Sequence, residues 1–201
     1  MNDVHRKIAS RMIVCVALLS FAAALNAQAT AASATQAATA QSPQPPTWKS
    51  YSYSVDGFSA SYPSVPDLQK KDVPTDAGTF QLRSYIGTDG EVAMFVGICD
   101  YGSKTNGQNP DDLLQGAKNG AMQNANAHLL SETKITFGIY HGLTFEMESD
   151  QTQKDPAHFS GRIYMVGSTL YQTLVVAPLG KPYADTARFL DSFQLIPRTA
   201  N

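Results

Sequence analysis

Cysteine is nearly missing from this chain: two in 201 residues, Cys15 and Cys99. Cys15 lies in an apolar run near the start, so only Cys99 is expected in the folded part. A lone cysteine closes no internal disulfide, and stability must then come from a packed core. Roughly 150 residues suffice for such a core without staples. Charge is sparse too, with 15 Lys+Arg and 17 Asp+Glu. No basic run is present to recruit nucleic acid or anionic lipid. Past the first 29 residues no apolar stretch reaches the ~20 residues of a membrane-spanning helix.

The usual chemical motifs are missing as well. The segment from Gly97 to Thr105 comes near a phosphate-binding loop, but Ser103 stands where the lysine is required and no helix follows directly. Gly57-Phe58-Ser59-Ala60-Ser61 lacks the second glycine of a nucleophile elbow. His128, His141 and His158 share no metal-ligand spacing and are expected as solvated loop residues. Asp100, Asn106, Asp111 and Asp112 lack the order and closing glutamate of a calcium loop. Glu146 and Glu148 stand two apart on a strand and share a face, either as a pair with split pKa values or as the solvent side of a strand turning Leu143, Phe145 and Met147 inward; the second reading is favoured. No catalytic, cofactor-binding or metal-ligating residue is therefore assigned, and no cofactor is expected.

What is present begins with an export signal. Arg6, Lys7 and Arg11 precede an apolar run from Met12 to Leu25, broken by Ser20, and the run exits through Ala27-Gln28-Ala29. Basic start, short apolar middle and small-residue exit predict a signal peptide over 1–29, with Ala27 and Ala29 marking cleavage. Cys15 is too early in the run to carry lipid. Cleavage would leave twelve bases against sixteen acids, a net charge of −4. The expected locale is periplasmic or secreted, without stable membrane insertion. Residues 30–47, rich in Ala, Thr, Gln and Pro and without charge, predict a disordered leader. A single domain is expected over 48–197, with a tail at 198–201.

Within that domain period-two segments dominate. Strands are expected at Gly57–Pro63, Thr79–Ile86, Glu91–Tyr101, Lys134–Ile139, Leu143–Met147, Phe159–Met165, Leu170–Val176 and Phe193–Ile196. Turns are expected at Tyr140-His141-Gly142 and Gly167-Ser168. Glu91–Tyr101 is apolar on both faces, as a covered central strand would be. Asn109-Pro110-Asp111-Asp112 predicts a helix start: a cap, a proline suited to the first position and two acids at the positive end of the dipole. Its buried stripe would be Leu113/Leu114, Ala117, Ala121 and Ala125. A second helix is expected from Lys181-Pro182, with Tyr183, Ala187, Phe189 and Leu190 inward. Clustered antiparallel strands with helices at two points define an α+β class, a sheet of about six to seven strands flanked by two main helices.

Two stretches carry a family resemblance. Gly57-Phe58-Ser59-Ala60-Ser61-Tyr62-Pro63 resembles the opening of PsbP-like proteins, and Ala187-Arg188-Phe189-Leu190-Asp191-Ser192-Phe193 resembles their closing helix. The resemblance spans about 48–197 and implies an antiparallel sheet sandwiched by helices, used mainly as a non-catalytic interaction module. An export signal is incompatible with a nuclear role. The few residues before the apolar run do not fit a thylakoid transit peptide. The resemblance then implies the bacterial envelope branch similar to DcrB. The expected function is a non-enzymatic accessory module binding an envelope protein. Trp48, Tyr51 and Tyr53 form the candidate interaction surface, since such side chains are favoured at interfaces. The alternatives are a small apolar ligand or lipid held between sheet and helix, where Gly116, Gly120 and the alanine stripe leave room, and a hydrolase of unrecognised kind.

Overall fold

The computed structural model describes residues 46–75 and 78–199. The expected signal peptide, with Ala27 and Ala29, and most of the expected leader lie outside the described residues.

Among the described residues, ten strands and two α-helices follow in order. They are β1 (Lys49–Tyr53), β2 (Phe58–Tyr62), β3 (Asp67–Thr75), β4 (Gly78–Asp89), β5 (Val92–Asp100), α1 (Pro110–Ala125), β6 (Ala127–Phe137), β7 (Tyr140–Ser149), β8 (Ala157–Val166), β9 (Thr169–Pro178), α2 (Thr186–Ser192) and β10 (Gln194–Leu195). Seven strands form one antiparallel sheet in the order β3-β4-β5-β9-β8-β7-β6. The remaining three form a small second sheet, β1-β2-β10. The α+β class and the strand count of the main sheet agree with expectation; the separate small sheet was not anticipated. It arises because β10 pairs with β2 instead of joining the main sheet.

Both faces of the main sheet are covered, but not over the same strands. α1 lies across β6, β7 and β8 on one face. There Leu114, Ala117 and Ala121 meet Leu143, Phe145, Met147, Ile163 and Leu174. On the other face the small sheet and α2 lie over β4, β5, β9 and part of β8. Phe58, Tyr62, Phe189 and Phe193 meet Tyr85, Met94, Val96, Ile98, Tyr171 and Val175 there. β5 buries Met94, Val96 and Ile98 on this second face, while on its other face Cys99 is buried and Ala93 and Phe95 are part-buried. On the second face of β6–β8, α2 and Phe193 reach only β8 and the far end of β6, and the rest of that face is open.

Close approach explains two glycines of β7 and β8. A Cβ on Gly161 would stand 2.5 Å from the Phe145 ring and 2.8 Å from Leu174. A Cβ on Gly142 would stand 2.6 Å from the Tyr164 ring. Gly142 is therefore a packing glycine within β7 and not part of the turn expected at 140–142. The turn is Gly138-Ile139, where Gly138 has φ +60° and Phe137 pairs Tyr140. The Gly167-Ser168 turn stands as expected.

Helix α1 begins as its sequence predicts. Asn109 Oδ1 accepts from the Asp111 backbone N–H at 3.0 Å, with Pro110 in the first turn. Its C-cap, Asn126, takes the left-handed conformation. Helix α2 starts later than expected, at Thr186: residues 181–183 belong to no helix, and Tyr183 donates to Asp89 Oδ2 at 2.8 Å. Ala187 faces solvent there; Phe189 and Leu190 are buried as expected.

A buried polar node ties the small sheet to the large one. Asp56, in the β1–β2 turn, is 3% exposed. It accepts from Arg83 Nε at 2.6 Å and from the Tyr85 hydroxyl at 2.5 Å, and Tyr171 donates to its carbonyl at 2.7 Å. Burial, and then the hydrogen bond to Asp56, push the Tyr85 phenol well above its ordinary pKa. Arg198 donates to Tyr171 at 2.9 Å and Thr199 to the Ser54 carbonyl at 3.0 Å, so the start of the expected tail is held against the domain.

Candidate functional site

The open part of the second face of β6–β8 and the flank of α2 enclose a groove. The alternation of a strand dictates its floor. Leu143, Phe145 and Met147 point toward α1, so Thr144, Glu146 and Glu148 point into the groove. The register of β7 on β8 sets Arg162 opposite Thr144, Ser160 opposite Glu146 and His158 opposite Glu148. Two cavities lie along it. One, of about 480 Å³, is lined by Leu130, Ser131, Glu146, His158, Ser160, Val175, Ala177, Pro182, Tyr183 and Thr186. The other, of about 350 Å³, is bordered by Ile135, Phe137, Arg162, Tyr164, Leu190, Asp191 and Phe193.

The first cavity holds a connected polar group. His158 Nε2 lies 2.7 Å from Glu146 Oε2, and His158 Nδ1 lies 3.2 Å from Glu148 Oε1. Ser160 Oγ donates to the same Glu146 Oε2 at 2.6 Å. An imidazole donates from both nitrogens only as the imidazolium; the neutral ring donates from one. Across the cavity, burial and the bond to Asp89 raise the Tyr183 phenol well above its ordinary pKa, so it stays a donor at neutral pH. In the second cavity Arg162 Nη2 meets Asp191 Oδ1 of α2 at 2.7 Å.

Residues flagged separately in the sequence meet here. Glu146, Glu148 and His158 form one cluster, and His158 stands on β8 instead of in a loop. His141 stands on β7, with Nδ1 2.7 Å from Asp111 Oδ1, while His128 lies exposed on β6. Among the described residues no three His, Cys, Asp or Glu are arranged to hold a metal ion. The His158 cluster has a plain reason: the two carboxylates sit at opposite ring nitrogens and do not converge on one point. The acids weighed for calcium are dispersed. Asp100 accepts from Gly102 and Ser168, whereas Asp111 accepts from Lys134 and faces His141.

Trp48, Tyr51 and Tyr53 are part-buried and pack inward on the second core. Tyr53 lies 4.0 Å from the Tyr85 ring and Tyr51 edge-on to Tyr62 at 6.1 Å. The Arg188 guanidinium sits 4.7 Å over the Trp48 ring. Cys99 is 1% exposed in the core under α1. The near P-loop segment is the end of β5 followed by a short 3-10 turn at Gly102–Thr105. The two cavities lie on the face opposite α1, and neither is between that helix and the sheet.

The fold is similar to that of cyanobacterial PsbP. The solution structure of that protein from Synechocystis matches with a TM-score of 0.49 and 13% identity, over 77% of this chain and 96% of the other. The crystal structure of PA94 from Pseudomonas aeruginosa, a protein of unknown function, matches with a TM-score of 0.36 and 7% identity, over 66% of this chain and 83% of the other. No family model matches the sequence, and no curated protein does. The likeness to PsbP is one of architecture, and no residue's role is carried across it. No helix among the described residues is long and apolar enough to cross a membrane.

Ser160 and the Arg162–Asp191 pair were not singled out in the sequence. An isolated serine or arginine carries no signal there. The alternation of β8 nevertheless places His158, Ser160 and Arg162 on one face, so counting parity from the buried Phe159 would have grouped them.

Proposed function

We propose that this chain is an exported envelope protein of the DcrB-like branch that binds another protein without catalysis, and that the groove beside α2 is where it does so. The observation that carries the reading is the open part of the second face of β6–β8. It is a concave surface lined by both apolar walls and charged side chains. The small-ligand reading between sheet and helix has less support, because the cavities lie on the other face. The hydrolase reading is weakened by the order of contacts. Ser160 gives its proton to Glu146 and not to His158, so the serine–histidine link of an activated nucleophile is missing.

A photo-crosslinking residue in place of Leu130, in the full chain expressed in its native envelope, tests this. Leu130 lines the groove and is 48% exposed; Val65, 78% exposed and outside it, is the control. A protein adduct formed at position 130 and missing at 65 is the expected result. No adduct at 130, or the same adduct at both, would overturn the reading. Turnover of any substrate abolished by His158→Ala or Glu146→Gln would replace it with an enzyme.

A further inference from the structure

Two asparagines of the chain are followed by glycine, in Asn106-Gly107 and Asn119-Gly120. Such a pair carries a reaction of its own. The backbone nitrogen of the second residue attacks the side-chain amide carbon of the first, and a glycine hinders that attack least because it has no Cβ. The fold puts the two pairs in opposite settings. Asn119-Gly120 lies inside α1, where Gly120 is buried. Its N–H belongs to the helix ladder, so the attacking nitrogen is committed and its peptide fixed.

Asn106-Gly107 lies between the short 3-10 turn and α1, and both residues are exposed. Asn106, at φ −58° and ψ 125°, has already left the 3-10 conformation. Its N–H donates to the Ser103 carbonyl at 3.1 Å, and the Gln108 N–H donates to the Thr105 carbonyl at 3.0 Å. Between them the Gly107 N–H donates to no backbone carbonyl of the described residues. The Asn106 side chain makes no hydrogen bond to any described residue. Gly107 takes φ +75°, and a Cβ there would meet nothing within 4 Å. Nucleophile and electrophile are thus both uncommitted and in water, on a peptide spanned by one turn bond.

We propose that Asn106 is a modification site of this chain, deamidating spontaneously while the protein is folded. The Gly107 nitrogen gives its proton to water and bonds to Asn106 Cγ. The Cγ–Nδ2 bond breaks, and Nδ2 leaves as ammonia. The succinimide ring that remains takes up one water. Opening at Cγ yields aspartate; opening at the main-chain carbonyl yields isoaspartate, with the backbone rerouted through the side chain. The sum is amide and water to acid and ammonia, with nothing oxidised or reduced. The product places a new negative charge in the turn that leads to Asn109, the cap of α1. Asn106 lines neither cavity of the groove, so the site stands apart from the protein-binding reading.

The full chain, folded in mildly alkaline buffer and in parallel in denaturant, is sampled over time by peptide mass spectrometry. Digestion after Lys104, Lys118 and Lys134 puts the two sites in separate peptides. In the folded chain Asn106 is expected to convert about tenfold or more faster than Asn119, because attack at Asn119 waits on opening of α1. In denaturant the two rates are expected to converge. The product at 106 is expected to contain both aspartate and isoaspartate, as a shared ring requires. Gly107→Ala is expected to slow conversion at 106 by about tenfold. Alanine strains the positive φ there, so that comparison is also made in denaturant, where folding has no part. Asn106→Gln is expected to melt with the parent chain and to stay unmodified at 106. Equal rates at the two sites in the folded chain, an Asn106 that stays unreacted, aspartate without isoaspartate, or an undiminished rate in Gly107→Ala overturns the inference.

Discussion

Asp56 shows how much one side chain holds. Its carboxylate is almost fully buried and accepts from Arg83 and Tyr85, while its carbonyl accepts from Tyr171. Replacement by alanine leaves a guanidinium and a phenol without their acceptor, and stranded buried groups cost more than the bonds themselves contributed. Arg83 is 23% exposed and recovers part of its loss in water. Asp56→Ala is expected to cost about 3 kcal/mol, a melting point lower by roughly 6–12 °C for a domain of this size; Asp56→Asn, which keeps one acceptor, is expected to cost less. A thermal melt of the three proteins checks the order, and an unchanged melting point for the alanine variant would refute it. Nothing near Asp56 in the sequence marks it, since an acid before a glycine reads as an ordinary solvated turn. Its burial follows from the small sheet folding onto the large one, a long-range event. The groove residues share this property. Glu146 and Glu148 were visible as a pair on one face, but their meeting with His158 depends on the register of β7 against β8.

Elements written by local rules were legible; those decided by tertiary packing were not. Helix α1 is a case of the first kind, with cap, proline and first-turn acids all read in advance and all in place. Asn109→Ala removes the acceptor for the Asp111 N–H and is expected to cost about 1 kcal/mol, or roughly 2–4 °C. Asn109→Ser or Asn109→Asp restores an acceptor and the melting point with it; a melt in which alanine and serine behave alike would show that the cap does not act. The central strand β5, apolar on both faces, was equally plain. β3 was not, because Asp67–Thr75 is an exposed edge strand with Lys70, Lys71 and Asp72 on it, and an edge needs no alternation of apolar residues. The β6–β7 turn lies two to three residues before the expected one because two glycines, Gly138 and Gly142, compete for it. Only packing against Tyr164 reveals that the second is there for space. The start of α2 was read too early for a related reason, since a Lys-Pro sequence resembles a helix entry while Tyr183 is drawn instead to Asp89.

At the scale of the molecule, α1 is the main brace of the β6–β8 wing that forms the groove, and charge secures that brace. Under β6–β8, α1 packs its apolar stripe, and at the β6 edge two ion pairs join helix to strand: Lys118 with Glu132 at 2.5 Å and Asp111 with Lys134 at 2.6 Å. Lys118 is 6% exposed, so Glu132 neutralises an ammonium that has little water. The Lys118 bond holds the Glu132 carboxyl below its ordinary value of 4.5, and the Lys134 and His141 bonds hold Asp111 below 3.8. Depressed folded-state values have a definite sign. The stabilisation is complete above the unfolded pKa and is lost as pH falls through the folded one. The wing is therefore expected to loosen below about pH 4.5, with Glu132 leaving Lys118 unneutralised in the interior. Asp111 and Lys134 are solvated and screened by salt, so their share fades at high ionic strength, whereas the share of Lys118 and Glu132 persists. Melting the chain from about pH 6 down to pH 3 at low and high salt separates the two. Glu132→Gln is expected to start less stable at neutral pH and to show a shallower fall on acidification. An acid slope identical to that of the parent chain would mean that the pair does not brace the wing, and the groove would then owe its shape to apolar packing alone.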